Sequence, residues 1–296
     1  MNIKRICKIC FSPTGTTERV VSALASALSA KYPAAGVFTY DFTLPSARGS
    51  FPQLTSEDLV VFGMPTYAGR LPNLMVPYLK ESAQGNGALA VPVVTFGNRN
   101  FDNSLIELRD ILEDHGFHTI AAAACSCEHS FSTKLGAGRP DDADLAEIQE
   151  FAGRIVSKLV EIANQHTASP DSSIIPSSPV EVPGIPADQN HGGYYQPRDR
   201  HGMSIDIRKV KPLTDRTKCT DCGLCTEVCP MGAIDPADVS KVPGICIKCG
   251  ACEKKCPVHA KYYEDAGYLY HKTELEEMYA RRADNAFFFN QAENPL

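Results

Sequence analysis

The sequence predicts an α/β protein, a doubly wound five-stranded parallel sheet joined to a second, small α+β domain. Three observations predict it. Short apolar runs alternate with helix-spaced apolar stripes through the first 165 residues, as βαβ units require. A proline-rich stretch comes next. Eight of the twelve cysteines then crowd into residues 219–256, a pattern that suits metal ligation.

Ile6–Phe11 is the first apolar run, closed by a turn at Ser12–Gly15, after which Val20, Val21, Leu24 and Leu28 keep helical spacing. Val37–Tyr40 is a weaker strand. Leu59–Phe62 and Val91–Phe96 are continuous apolar runs, as expected of strands buried on both faces. Leu105, Leu108, Ile111 and Leu112 form a helical stripe, Thr119–Ala124 a fifth strand, and Leu145, Ile148, Phe151, Ile155 and Leu159 a last helix. Residues 166–212 hold seven prolines (Pro170, Pro176, Pro179, Pro183, Pro186, Pro197, Pro212) and little periodicity, the signature of an interdomain linker. Part of it is expected to pack on a domain, because Tyr194 and Tyr195 are costly to leave in water. The expected domains are therefore 1–165 and 213–296, the second closed by a short helix over Thr273–Arg282.

Net charge is −6 and neither end is basic, so nucleic acid is not an expected partner. No segment reaches the roughly 18–20 apolar residues of a transmembrane helix, and the N-terminus has no apolar stretch of signal-peptide length. A cytoplasmic protein with no membrane partner is expected, its clustered cysteines metal ligands rather than disulfides.

Two segments repeat with an offset of 27 residues: Cys219-x2-Cys222-Gly223-x-Cys225-x3-Cys229-Pro230 and Cys246-x2-Cys249-Gly250-x-Cys252-x3-Cys256-Pro257. Three closely spaced thiolates can wrap three irons of a cubane, while the proline directs the fourth cysteine away. Structural zinc is the alternative, but zinc needs only four tetrahedral thiolates and gives no reason for the duplication. Residues 213–262 resemble a bacterial two-cluster ferredoxin domain. The resemblance implies two [4Fe–4S] clusters, one held by Cys219, Cys222, Cys225 and Cys256, the other by Cys246, Cys249, Cys252 and Cys229.

The turn after the first strand reads Ser12-Pro13-Thr14-Gly15-Thr16-Thr17. A strand-to-helix turn with four hydroxyls and no positive charge suits a terminal monophosphate. The chain has neither a Walker pattern nor a GxGxxG, so nucleoside triphosphates and the usual dinucleotides lose support. Gly63–Arg70 and Thr95–Asp102 follow the third and fourth strands and bring aromatic rings to the carboxyl end of the sheet, where ligands bind in open α/β folds.

Residues 1–165 resemble the flavodoxin-like family. That implies FMN, its phosphate on Ser12, Thr14, Gly15, Thr16 and Thr17. Its ring would contact Pro65, Thr66, Tyr67, Gly69, Phe96, Gly97, Asn98 and Phe101. The whole chain resembles flavodoxin–ferredoxin fusion proteins of anaerobic bacteria and archaea, and both Gly97-Asn98-Arg99-x-x-Asp102 and Gly138-Arg139-Pro140-Asp141 strengthen the match. Arg70 and Arg99 depart from ordinary flavodoxins; a positive charge at the ring would raise its potential.

Other residues read more plainly. Cys7 and Cys10 should face opposite sides of their strand as buried thiols, and Cys125 and Cys127 should share a face at the far edge of the sheet. His129, Ser130 and Phe131 follow the fifth strand at the cofactor side, where they could approach the flavin or the ferredoxin-like domain, but surface loop is the preferred reading; Glu274–Glu277 reads as a solvated helix face. His191 and His201 carry no ligand pattern.

No acid/base pair or nucleophile is readable, so catalytic residues are not assigned. The expected function is electron transfer between FMN, the clusters and an unidentified redox protein. The competing expectations are an FMN-dependent reductase of a quinone or nitro compound, fed by its own ferredoxin domain, and a zinc-stabilised phosphate-binding or sensor module.

Overall fold

The computed structural model describes residues 3–168 and 178–290. Five parallel strands form the sheet: β1 (Arg5–Cys10), β2 (Gly36–Asp41), β3 (Asp58–Pro65), β4 (Leu89–Phe96) and a split fifth, β5 (His118–Thr119) with β6 (Ala121–Ser126). Their order is β2-β1-β3-β4-β6, the doubly wound order of the flavodoxin-like fold, with its switch point between β1 and β3.

Because side chains alternate across a strand, each central strand feeds two apolar layers. Val60, Phe62 and Met64 of β3 pack with Phe11, Phe42, Leu105, Leu108 and Phe117 beneath α2 (Val76–Ser82) and α3 (Ser104–Asp114). Leu59 and Val61 pack on the other face with Val20, Val21, Leu24, Leu28, Phe151 and Ile155, from α1 (Thr16–Ser29) and α4 (Asp142–Ala168). Cys7 lies in the first layer and Cys10 in the second, while Cys125 and Cys127 share the second. Burial pushes the thiols of Cys7, Cys10 and Cys125 up to about 12, so they are inert packing residues.

The cysteine-rich half is small. It comprises the paired strands β7 (Leu213–Thr214) and β8 (Lys261–Tyr262), two one-turn helices, α5 (Leu224–Glu227) and α6 (Ala251–Lys254), and α7 (Ala266–Met278). The last helix begins and ends earlier than its spacing predicted, because Asp265 caps it by accepting a hydrogen bond from the Tyr268 amide at 2.9 Å. The chain then returns to the first domain. A further strand, β9 (Ala286–Phe289), pairs antiparallel with β6. Phe287 and Phe289 pack on Phe151 at ring distances of 4.7 and 5.3 Å. Part of the segment assigned to the second domain therefore completes the first.

The proline-rich stretch is packed where it is described; Pro170 and Pro176 lie outside the described residues. Val180 is fully buried, and its amide donates to Thr119 Oγ1. Arg70 donates to the carbonyls of Asn190 and Gly192, His191 bonds Asp110, and Tyr194 donates to the Leu71 carbonyl. Some of its backbone groups bond within the stretch, as the His191 amide does to the Pro186 carbonyl, and the sheet domain supplies partners for others.

Candidate functional site

Gly15, at φ 94°, ends the first loop and starts α1 with no side chain capping it. The first N–H groups of a helix lack intrahelical partners, so those of Thr16 and Thr17 face a small cavity. Pro13, Thr14, Thr16, Thr17, Pro65, Thr66, Tyr67, Thr95, Phe96, Gly97, His129 and Ser130 are among its lining residues. Ser12 does not belong to it. Its hydroxyl accepts the Glu18 amide at 2.9 Å and its amide donates to Thr43, so it shapes the turn. Thr17 is held by a 2.7 Å hydroxyl contact with Thr95. The hydroxyls of this cradle at a helix N-terminus fit a phosphate monoester; Glu128, also on its wall, is paired with Lys254.

The cradle shares Thr66, Tyr67, Gly97, His129 and Ser130 with a chamber of about 450 Å³. Gly69 and Arg99 come from the strand-end loops, Tyr195, Gln196 and Pro197 from the proline-rich stretch, and His271 and Leu275 from α7. Cys246, Ile247 and Lys248 of the second cysteine repeat close its far wall. The chamber is mostly apolar with a few polar groups, as a flavin ring site requires.

Two expected ring contacts are corrected. Asn98 and Phe101 line neither cavity. Asn98 instead donates to the Tyr279 carbonyl at 2.7 Å and accepts from the Ala283 amide and Arg139. Phe101 packs between Phe96 and Phe288. Arg70 is likewise drawn away, its buried guanidinium paired with Glu107 at 2.6 Å. Arg99 does reach the chamber, with its guanidinium 4.6 Å from the Tyr195 ring centroid.

His129 overturns its reading as surface loop. It lines both cavities, and Gly97 gives it room, since a Cβ there would stand 2.2 Å from the ring. Burial, helped by Lys254, lowers its pKa to about 3. Its Nδ1 accepts the Phe131 amide, which leaves Nε2 to carry the proton of the neutral ring. A histidine beside an invaginated loop gives no periodic signal in sequence. The Glu274–Glu277 run is also not merely solvated, because Glu274 and Glu277 pair with Arg200, and Ser132 donates to Glu276.

Each cysteine repeat builds the same turn. Gly223 and Gly250, at φ 76° and 73°, start α5 and α6, a backbone conformation that glycine adopts without strain. The Asp221 amide donates to Cys219 Sγ and the Lys248 amide to Cys246 Sγ, both at 3.4 Å. Ala233 and Ala260 donate to Cys229 and Cys256 at 3.3 and 3.2 Å.

Two cavities divide the cysteines. One is walled by Cys219, Cys222, Cys225 and Cys256, the other by Cys229, Cys246, Cys249 and Cys252. Among the described residues no three His, Cys, Asp or Glu side chains converge on a point that could hold one metal ion. Four cysteines around each cavity can supply the four thiolates of an iron–sulfur cluster. Burial raises Cys249 to about 12. Burial also raises Cys256, but the amides of Ala260, Val258, Lys261 and His259 outweigh it and leave its pKa below the ordinary thiol value.

Comparison with known proteins finds matches for both halves. Residues 212–235 and 239–262 each match the 4Fe-4S binding domain family. The search of curated proteins found no match. The sheet half is similar to a flavodoxin of Streptococcus pneumonia TIGR4 (16% identity, 52% of this chain and 99% of that one, TM-score 0.36). It is also similar to an NADH:FMN oxidoreductase in its apo form (16%, 51% and 87%, 0.38) and to Flavodoxin 2 of Bacillus cereus (14%, 52% and 99%, 0.36). By strand order and by family match, the chain joins a flavodoxin-like domain to a ferredoxin-type domain. The second of these is an iron–sulfur module.

Proposed function

We propose that the chain relays electrons between an FMN and two [4Fe–4S] clusters, and between them and a separate redox protein. One observation carries the reading: Cys246 lines both the chamber beside the phosphate cradle and one of the two cysteine cavities. A flavin handles electrons in pairs or singly, whereas each cluster carries one. The residues supply placement. Thr14, Thr16 and Thr17 would take the phosphate, Tyr67 would lie between ring and Cys246, and the Tyr195 segment would exclude water from the chamber. Burial raises the Tyr67 pKa well above its ordinary value, and the neighbouring Cys249 and Cys246 add to the rise, so it stays a neutral phenol. The outer cavity holds Cys222, which is exposed, and is the side where an external partner would dock.

Iron, sulfide and released flavin should be measured per chain on anaerobically purified protein, followed by stepwise reduction. About eight irons with one FMN, and flavin and clusters exchanging electrons, are expected. Iron without flavin would sink the relay. A reductase of a small acceptor is the second reading, favoured by the size of the chamber and by Arg99, His129 and His271 on its wall. Steady turnover of a quinone or nitro compound without any partner protein would favour it. Among the described residues no helix is long and apolar enough to cross a membrane, and a cytoplasmic location remains part of the proposal.

A further inference from the structure

The two cysteine repeats share their cysteines and their turns, yet matched positions differ in charge: Asp221 against Lys248 and Glu227 against Lys254 reverse sign, and the first pair lies beside the leading cysteine. Asp221 and Lys248 both lie two residues after the first cysteine of their repeat. Both have left-handed backbones, at φ 52° and 57°, and both donate their amides to that cysteine's sulfur at 3.4 Å. The backbone therefore does the same work in each repeat, and the side chains differ in sign. Asp221 is exposed, and its carboxylate stands 3.7 Å from Cys219 Sγ. Lys248 is half-buried on the chamber wall, two residues from Cys246, which the inner cysteine cavity shares, and its Nζ rests on the carbonyls of Cys246 and Arg208 at 3.2 and 3.1 Å.

The environments differ as well. The inner cavity has the buried Cys249 and Cys252, whereas the outer has the exposed Cys222. Reduction adds a negative charge to a cluster. Burial disfavours that charge and lowers the potential, while a nearby cation favours it and a nearby anion opposes it. Burial alone would thus leave the inner cluster harder to reduce than the outer one, a barrier in the middle of any path from the chamber to the surface.

We infer that Lys248 and Asp221 are a matched pair of tuning residues: Lys248 raises the potential of the inner cluster against its burial, and Asp221 lowers that of the exposed outer cluster, so that the two are brought close. The inference rests on the proposed two-cluster loading.

The test is a redox titration of the full chain, followed by electron paramagnetic resonance, on the wild type, Lys248→Met, Lys248→Arg and Asp221→Asn. Iron content is measured on each sample. Both neutral substitutions keep the amide-to-sulfur bonds. Lys248→Met is expected to lower one midpoint and Asp221→Asn to raise the other, so each variant widens the gap; Lys248→Arg should restore the wild-type values. Samples holding about eight irons whose midpoints stay put, or shift together in both variants, overturn the inference. A wild type that holds only about four irons instead overturns the two-cluster reading beneath it.

Discussion

The two halves of the molecule are held together by different means. The sheet domain is closed by two continuous apolar layers, one on each face, that reach from β1 to β9. The cysteine-rich half has a buried apolar cluster of Ile234, Val239 and Cys252, against which Cys219, Cys225, Cys229 and Val242 pack. Its core consists largely of its ligands. A segment that small cannot bury enough apolar surface to hold itself folded, and under the proposed cluster loading ligation would contribute there what the hydrophobic effect contributes in the sheet. The longer half folds around carbon, the shorter around sulfur and what the sulfur binds.

The largest expected effect breaks that comparison open. Anaerobic chelation of iron should make residues 213–265 open to protease while the sheet core stays protected, read by limited proteolysis and mass spectrometry. Simultaneous loss of both halves would show one cooperative unit instead of two.

Next comes the clasp that joins the halves. Arg139 and Asp144 form a buried bidentate pair at 2.9 and 2.5 Å, and Arg139 also donates to the Ala283 carbonyl at 2.6 Å. Arg139→Ala leaves the Asp144 carboxylate buried without its main partner, and a loss of about 3–5 kcal/mol is expected, measured by urea unfolding. Hydrogen exchange at Phe287–Phe289 should quicken in the same variant.

A smaller effect sharpens the contact between the halves. A Cβ at Gly250 would stand 2.4 Å from the Ser130 carbonyl oxygen, and the φ of 73° adds roughly 1–2 kcal/mol of strain for an L-residue. Gly250→Ala should speed amide exchange over residues 128–132 and leave the strands of the sheet unchanged.

A pH slope is the last, and it spreads over several pH units. Burial lowers the His129 pKa to about 3, below the ordinary value of about 6.5. Between those values the unfolded chain binds a proton that the folded chain refuses. Stability is therefore full above about pH 6.5 and falls as pH drops toward 3, by roughly 1.4 kcal/mol per pH unit. His129→Gln should flatten that slope in denaturant titrations at pH 7 and pH 5.

Much of this was legible in the chain because the signals were local. The cysteine repeat declares its turns in eleven residues, and Leu59–Phe62 declares a strand buried on both faces. The phosphate cradle was legible as a turn of hydroxyls, though not that Ser12 would spend its hydroxyl on Glu18. What stayed hidden depended on distant partners. Asn98 and Arg139 stand 41 residues apart in two motifs that look like ligand loops, yet they meet to hold the Tyr279–Asn285 segment. Ala286–Phe289 carries a strand's composition, but only the free edge of β6 makes it one. Proline content marked residues 166–212 as a tether because it reports missing periodicity, and the hydrogen bonds of Arg70 and His191 that pin the neighbouring loops have no period to find.

The return of β9 to the edge of the sheet has one more consequence. Residues 180–194 before the cysteine-rich half bond to the first domain, and the chain after it re-enters that domain as a strand, so that half is tied on both sides. It behaves as a bracketed insertion rather than a pendant on a string. The spacing between chamber and cysteine cavities is then a constant of the fold, set once during folding, and any exchange across it should be indifferent to dilution and to solvent viscosity.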